Sequence, residues 1–180
     1  MRYFLLHTDP LYTDIPVIAN WHGKIDQRAI RPGCSHRIPA HQILKVVPNA
    51  HVDFVDVLTA PFLLLSQTCM EVVRLYHPHT IFKRIILLNT ENARRECYHL
   101  PILPRIQCLT EESRWTRDRS VLLDGVMDTK KVEDLSIFYL AEPQGSHAVV
   151  RLDILESMLK RGARGIGMTP LRTEKGDKSI

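Results

Sequence analysis

The stretch from His147 to Leu171, HAVVRLDILESMLKRGARGIGMTPL, constrains the fold more than any other part of the chain. Val149, Val150 and Leu152 are apolar residues suited to an extended segment. Asp153 stands where a helix would begin and Glu156 follows three residues later. That spacing predicts a capping box, in which each side chain satisfies the other residue's unpaired N–H. Ile154, Leu155, Met158 and Leu159 then fall on one helical face. Gly162 marks the end, with Lys160 and Arg161 suited to the negative pole of the helix dipole. Ile166 to Leu171 returns as a strand.

A second stretch repeats this order. In PFLLLSQTCMEVVRLYHPHTIFKRIILL, Phe62–Leu65 reads as a buried strand. Ser66 caps a helix with Cys69, Val72, Val73 and Tyr76 on one face, Pro78 closes it, and Thr80–Leu88 is a strand rich in β-branched residues. The caps Ser66 and Asp153 lie 87 residues apart. Together the stretches predict an α+β fold, with a mixed, mostly antiparallel sheet, a few short helices and two similar strand–helix–strand units. Duplication explains that similarity, and so does chance recurrence of a common arrangement.

The rest of the chain fits around these units. Residues 2–7 read as a first strand. Five prolines between Pro10 and Pro48 break up the first 50 residues, which are expected as an irregular N-terminal lobe packed on the main domain and anchored by a buried Trp21. Ile43–Val47 reads as a short strand, and Val52–Leu58 as a strand or a helical turn. Residues 51–171 form the main domain. Asn89–Arg94 is a polar turn leading into a strand, Cys97–Leu103, that Pro101 breaks. Ile106–Leu109 is a short apolar run. Glu111–Ser120 is a charged surface loop or helical turn anchored by Trp115, and Val121–Met127 and Val132–Leu135 are apolar runs joined by turns. Ile137–Ala141 is a strand, Pro143–Ser146 a tight turn, and residues 172–180 a flexible polar tail.

Composition bounds function more than it specifies it. A chain of 180 residues with 44% hydrophobic content can bury a core without staples. Its four cysteines have no C-x-x-C spacing, which points to reduced, mostly buried thiols and a cytoplasmic home. No apolar run approaches a membrane span, and the N-terminal run Tyr3–Leu6 is too short for a secretion signal. The net charge of +4 is spread evenly, with 9 Lys/Arg against 6 Asp/Glu in residues 1–90 and 15 against 14 in residues 91–180. That distribution argues against a nucleic-acid partner, which favours a concentrated basic face.

No constellation carries a catalytic signature. His77 and His79 with Cys97 and His99, and Cys34 with His36 and His41, lack zinc-finger or zincin spacing, so no metal and no cofactor is expected. His77 and His79 read instead as helix-end histidines whose charged form suits the dipole. Cys97 near His99 reads as a buried thiol. Capping accounts for Asp153 and Glu156, and Asp53 with Asp56 lack a visible catalytic partner. In RGARGIG, Arg161 to Gly167, the glycines follow a helix and precede a strand, so the dipole has the wrong sign for phosphate and a C-cap turn is expected.

Two segments together resemble a known family. VDVLTAPFLLLSQTCMEVVRLYHPHTIFKRIILL running on to YHLPILPRIQCLTEES, and IFYL followed by AVVRLDILESMLKRGARGIGMTPL, resemble the eleventh class of immunity proteins of bacterial polymorphic toxin systems. The matching positions are Asp56, Pro61, Phe62, Ser66, Pro101, Cys108, Ser113, Phe138, Asp153, Glu156, Ser157 and Gly165, over roughly the last two thirds of the chain. The resemblance implies a non-enzymatic cytoplasmic protein that binds and neutralises a cognate toxin. It transfers no binding residue. Interface-prone chemistry selects Trp115, Arg117 and Arg119 in the charged loop, and Arg161 and Arg164 after the second helix. The alternatives are a small hydrolase or nuclease using His77, His79, Cys97 and His99, and an adaptor within a secretion system.

Overall fold

The computed structural model describes residues 1–141 and 147–173. In chain order the strands and helices are β1 (Tyr3–Thr8), β2 (His41–Lys45), β3 (Val57–Leu58), β4 (Leu64–Leu65), α1 (Gln67–Tyr76), β5 (Ile81–Leu88), β6 (Arg95–Ile102), β7 (Arg105–Ile106), β8 (Arg114–Trp115), β9 (Leu122–Asp124), β10 (Val126–Met127), β11 (Ile137–Leu140), β12 (Ala148–Arg151), α2 (Leu152–Lys160) and β13 (Ile166–Thr173). Mixed, mostly antiparallel sheets with two short α-helices make this an α+β fold. The Pro143–Ser146 turn and the tail beyond Thr173 lie outside the described residues.

Ser66 caps α1 as its sequence predicts, its hydroxyl accepting from the Cys69 N–H at 3.4 Å. The capping box on α2 does not form. Leu152 is already helical, Arg151 is the N-cap residue, and Asp153 sits inside the first turn. The Arg151 guanidinium claims the Asp153 carboxylate through two bonds of 2.8 and 2.7 Å, leaving it to accept only the Ile154 N–H beside it. Leu159, assigned to the buried face, is 43% exposed. The far end follows the glycine logic. Gly162 takes φ +77°, its N–H donates to the Leu159 carbonyl, and the Ala163 N–H donates to that of Met158.

Two sheets carry the architecture, in the orders β2-β5-β6-β4-β3 and β10-β13-β1-β12-β11-β7. The first five positions of each correspond. β2–β5 and β10–β13 are parallel, and every other junction among them is antiparallel. α1 and α2 begin at Gln67 and Leu152, and β5 and β13 at Ile81 and Ile166, an offset of 85 residues in both cases. Smaller details recur as well. The Ser66 N–H donates to Asp56 and the Arg151 N–H to Ser136, each joining a helix start to the residue before the matching strand. Ile18 bridges to Val46 and Leu109 to Met127. The two strand–helix–strand units are therefore halves of one repeated topology. Each half begins with a strand inserted into the sheet of the other half, β1 between β13 and β12 and β6 between β5 and β4.

The N-terminal 50 residues contribute a strand to each of these two sheets. β1 lies inside the six-stranded sheet and β2 edges the five-stranded one. Between them the chain is irregular, as its prolines predict, but Ile18, Ile25, Ile30 and Ile38 join the main core. Trp21 is only half-buried, set edge-on to Phe62 at 6.0 Å. From Val52 to Leu58 only the last two residues are strand. β6 runs through Pro101 without a break, since β4 bridges β6 only at His99 and leaves that flank free of a ladder beyond it. β13 continues to Thr173, and Arg172 pairs with Val126, so the tail does not begin at 172.

Alternation gives the six-stranded sheet two buried faces. Leu6, Ala148, Val150, Ile137 and Tyr139 share the larger core with Ile154, Leu155 and Met158 of α2. Tyr3, Leu5, Val149, Phe138 and Leu171 form the opposite, smaller core, roofed by Leu122, Val132 and the partly buried Trp115.

Candidate functional site

The charged segment Glu111–Ser120 is neither a loop nor a helical turn throughout. It enters a two-stranded hairpin, β8–β9, that packs over the smaller core. Asp118 builds its turn. The Asp118 Oδ1 accepts from the Thr116 hydroxyl at 2.6 Å, the Ser120 hydroxyl at 2.8 Å and the Ser120 N–H at 3.2 Å. These donors, the Thr116 hydroxyl foremost, favour the charged carboxylate and lower its pKa to about 2. The Arg119 N–H donates to the Thr116 carbonyl, and Arg119 is held at φ +57°, where a side-chain-bearing residue needs such support. Arg117 and Arg119 are both exposed on this pinned turn.

Trp115 anchors the base. It is half-buried, with its ring edge-on to His147 at 5.5 Å. Burial, followed by the Arg105 charge, lowers the His147 pKa and favours a neutral ring against the indole. At the hairpin's far end Asp124 accepts two bonds from Arg172 of β13, at 3.0 and 2.6 Å, with Arg114 at 3.5 Å. Beside Trp115 lies a cavity of about 240 Å³, bordered by Ile106, Cys108, Thr110, Ser113, Arg119 and Leu140. Within its lining the Thr110 hydroxyl oxygen is buried and has no hydrogen-bond partner among the described residues. Burial pushes the Cys108 thiol up to about 11, which disfavours its thiolate at neutral pH.

The arginines after α2 serve the fold. The Arg164 N–H donates to the Asp56 carboxylate at 2.7 Å, its carbonyl accepts from the Asp56 N–H, and its guanidinium lies 3.7 Å from Asp53. This uses Asp53 and Asp56 in joining the α2–β13 turn to the segment before β3. Arg161 folds back on α2, donating to the Ser157 hydroxyl at 2.6 Å and carbonyl at 3.0 Å. Trp115, Arg117 and Arg119 therefore converge on one hairpin, while Arg161 and Arg164 lie with α2 on the other side of the six-stranded sheet. Sequence reasoning missed Asp118, Thr110 and His147. The Thr116-x-Asp118-x-Ser120 spacing was a usable signal for the first, because short polar side chains at alternate positions build turns of this kind. Nothing local marked the other two.

The histidine and cysteine clusters separate. Among the described residues no three His, Cys, Asp or Glu side chains come together as a metal site. His77 is the C-cap of α1, but it is not a helix-end cation. Burial first, then the Arg151 charge, lowers its pKa, and its Nε2 accepts from the Ser136 N–H at 3.1 Å. His99 is buried against Gln67, Nε2 to Oε1 at 2.9 Å. Cys69 and Cys108 are buried as expected, but Cys34 is partly exposed and Cys97, read as buried, is open to solvent. No helix among the described residues is long and apolar enough to cross a membrane. No protein-family model matches this chain, and the search of curated proteins finds no match either.

Proposed function

We propose that this chain is an immunity protein that binds a cognate toxin in the cytoplasm and neutralises it without chemistry of its own. The observation that carries the reading is the β8–β9 hairpin. A turn pinned by Asp118 holds Arg117 and Arg119 out in solvent, next to a half-buried tryptophan. Arginine and tryptophan are favoured anchors of protein interfaces, and a turn ordered before binding loses less conformational entropy on docking. The likeness of segments within residues 55–113 and 137–171 to immunity proteins supports the same reading and supplies the class of partner. Arg161 and Arg164 are secondary, since their bonds to Ser157, Asp53 and Asp56 already occupy them.

Co-expression with the product of the neighbouring reading frame tests this. The expected result is that this product arrests growth alone and is tolerated when the chain is present. Asp118→Ala should weaken protection with little change in melting temperature, because the Asp118 bonds order an exposed turn. A product that is harmless alone, or that remains lethal beside this chain, removes the reading.

A further inference from the structure

The five-stranded sheet presents one face that nothing else in the structure explains. Register sets three rows across β2, β5 and β6: His41–Arg84–His99, Ile43–Ile86–Cys97 and Lys45–Leu88–Arg95. By alternation these residues share one face, and Leu44, Ile85, Leu87 and Tyr98 between them point into the core. His41, Lys45, Arg84, Arg95 and Cys97 are exposed, Ile43 is 54% exposed, and Ile86 and Leu88 are partly so. α1 reaches one end of the face, where Arg74 lies over the Phe82 ring at 5.4 Å and Gln67 holds His99. Lys24 stands at the β2 edge, donating to the Ile43 carbonyl.

The face is basic and uncompensated. Among the described residues no ion pair engages Lys45, Arg84 or Arg95. Of the neighbouring carboxylates, Glu71 accepts from Gln67 and Glu96 belongs to Arg94. The even charge of the whole sequence conceals this local concentration, which only strand pairing assembles.

We infer that this face is a docking surface for an acidic protein segment that carries apolar side chains. The cations supply charge complementarity, and Ile43, Ile86 and Leu88 supply a centre that dries on contact. A single-stranded nucleic acid fits less well, because stacking needs a free aromatic face and Phe82 already carries Arg74. The inference is independent of the immunity reading and of the hairpin.

The test uses the full chain with labelled isoleucine and leucine methyls. One probe is a helical peptide with leucines along one side and glutamates elsewhere. The other is a single-stranded DNA oligonucleotide of equal net charge. The expected result is that the peptide shifts the methyls of Ile43, Ile86 and Leu88 and binds more tightly than the DNA. Lys45→Glu with Arg84→Glu should weaken the peptide about tenfold or more at an unchanged melting temperature. Ile43→Ser should weaken the peptide and spare residual DNA binding. No peptide binding, shifts elsewhere, tighter DNA binding, or an affinity indifferent to the charge reversal would each overturn the inference.

Discussion

Gly162 and Gly165 share a left-handed backbone, φ +77° and +72°, but not a neighbourhood. A Cβ on Gly162 would meet nothing within 4 Å, whereas one on Gly165 would be driven into the Val55 side chain, with Cγ1 and Cγ2 at 2.8 Å. Alanine at either position carries the left-handed penalty of about 1–2 kcal/mol. Gly165→Ala adds the cost of overpacking, about 1–3 kcal/mol. The two variants should therefore differ by about 1–3 kcal/mol, or roughly 2–12 °C in Tm for a domain of this size. Urea unfolding of both, with Tm alongside, measures that difference. In a Val55→Gly background the excess should largely vanish, because the Val55 Cβ that stands nearest and both its methyls are gone. Equal losses for the two glycine variants, or an excess that survives Val55→Gly, would refute the close approach of the α2–β13 turn to the segment before β3.

Three further outcomes follow from the same packing. His77 has a depressed pKa when folded, so the unfolded chain takes up its proton first as pH falls. The stability it contributes is complete above about pH 6.5 and is lost toward its lower folded pKa, by at most about 1.4 kcal/mol per pH unit for one ring. His77→Gln should flatten that acid-side slope in unfolding measured from pH 7 to 5. Ser66→Ala should cost about 1 kcal/mol through loss of the α1 cap, read by urea unfolding, whereas Glu156→Ala should cost far less because no capping box forms on α2. Cutting the chain in the turn between β5 and β6 tests the strand exchange. The two fragments should unfold cooperatively only when mixed, since each sheet takes one strand from the other half; a fragment that folds alone contradicts it.

Local chemistry was legible where a signal had no competitor. Ser66 caps α1 because its hydroxyl is left to the Cys69 N–H one turn on, and Gly162 ends α2 because the left-handed turn excludes most other residues. Asp153 fits the same reading on paper, but Arg151, two residues earlier, takes its carboxylate. The repeated strand–helix–strand order could be read from the pattern of apolar runs. The exchange of β1 and β6 could not, because strand pairing over such separations leaves no mark at either strand. The same holds for function. Trp115 and its arginines stood out as a cluster in sequence, whereas Lys45, Arg84 and Arg95 become one basic face only through the register of β2, β5 and β6.

The central claim is that the chain acts by occupying a partner and not by turning over. Titrating a fixed amount of the purified toxin with this protein, and reading residual toxin activity at equilibrium, tests it most directly. A binder gives a linear fall that ends at an equimolar ratio and does not deepen with time. Complete, time-dependent loss of activity at a small fraction of that ratio would mean catalysis and contradict the account.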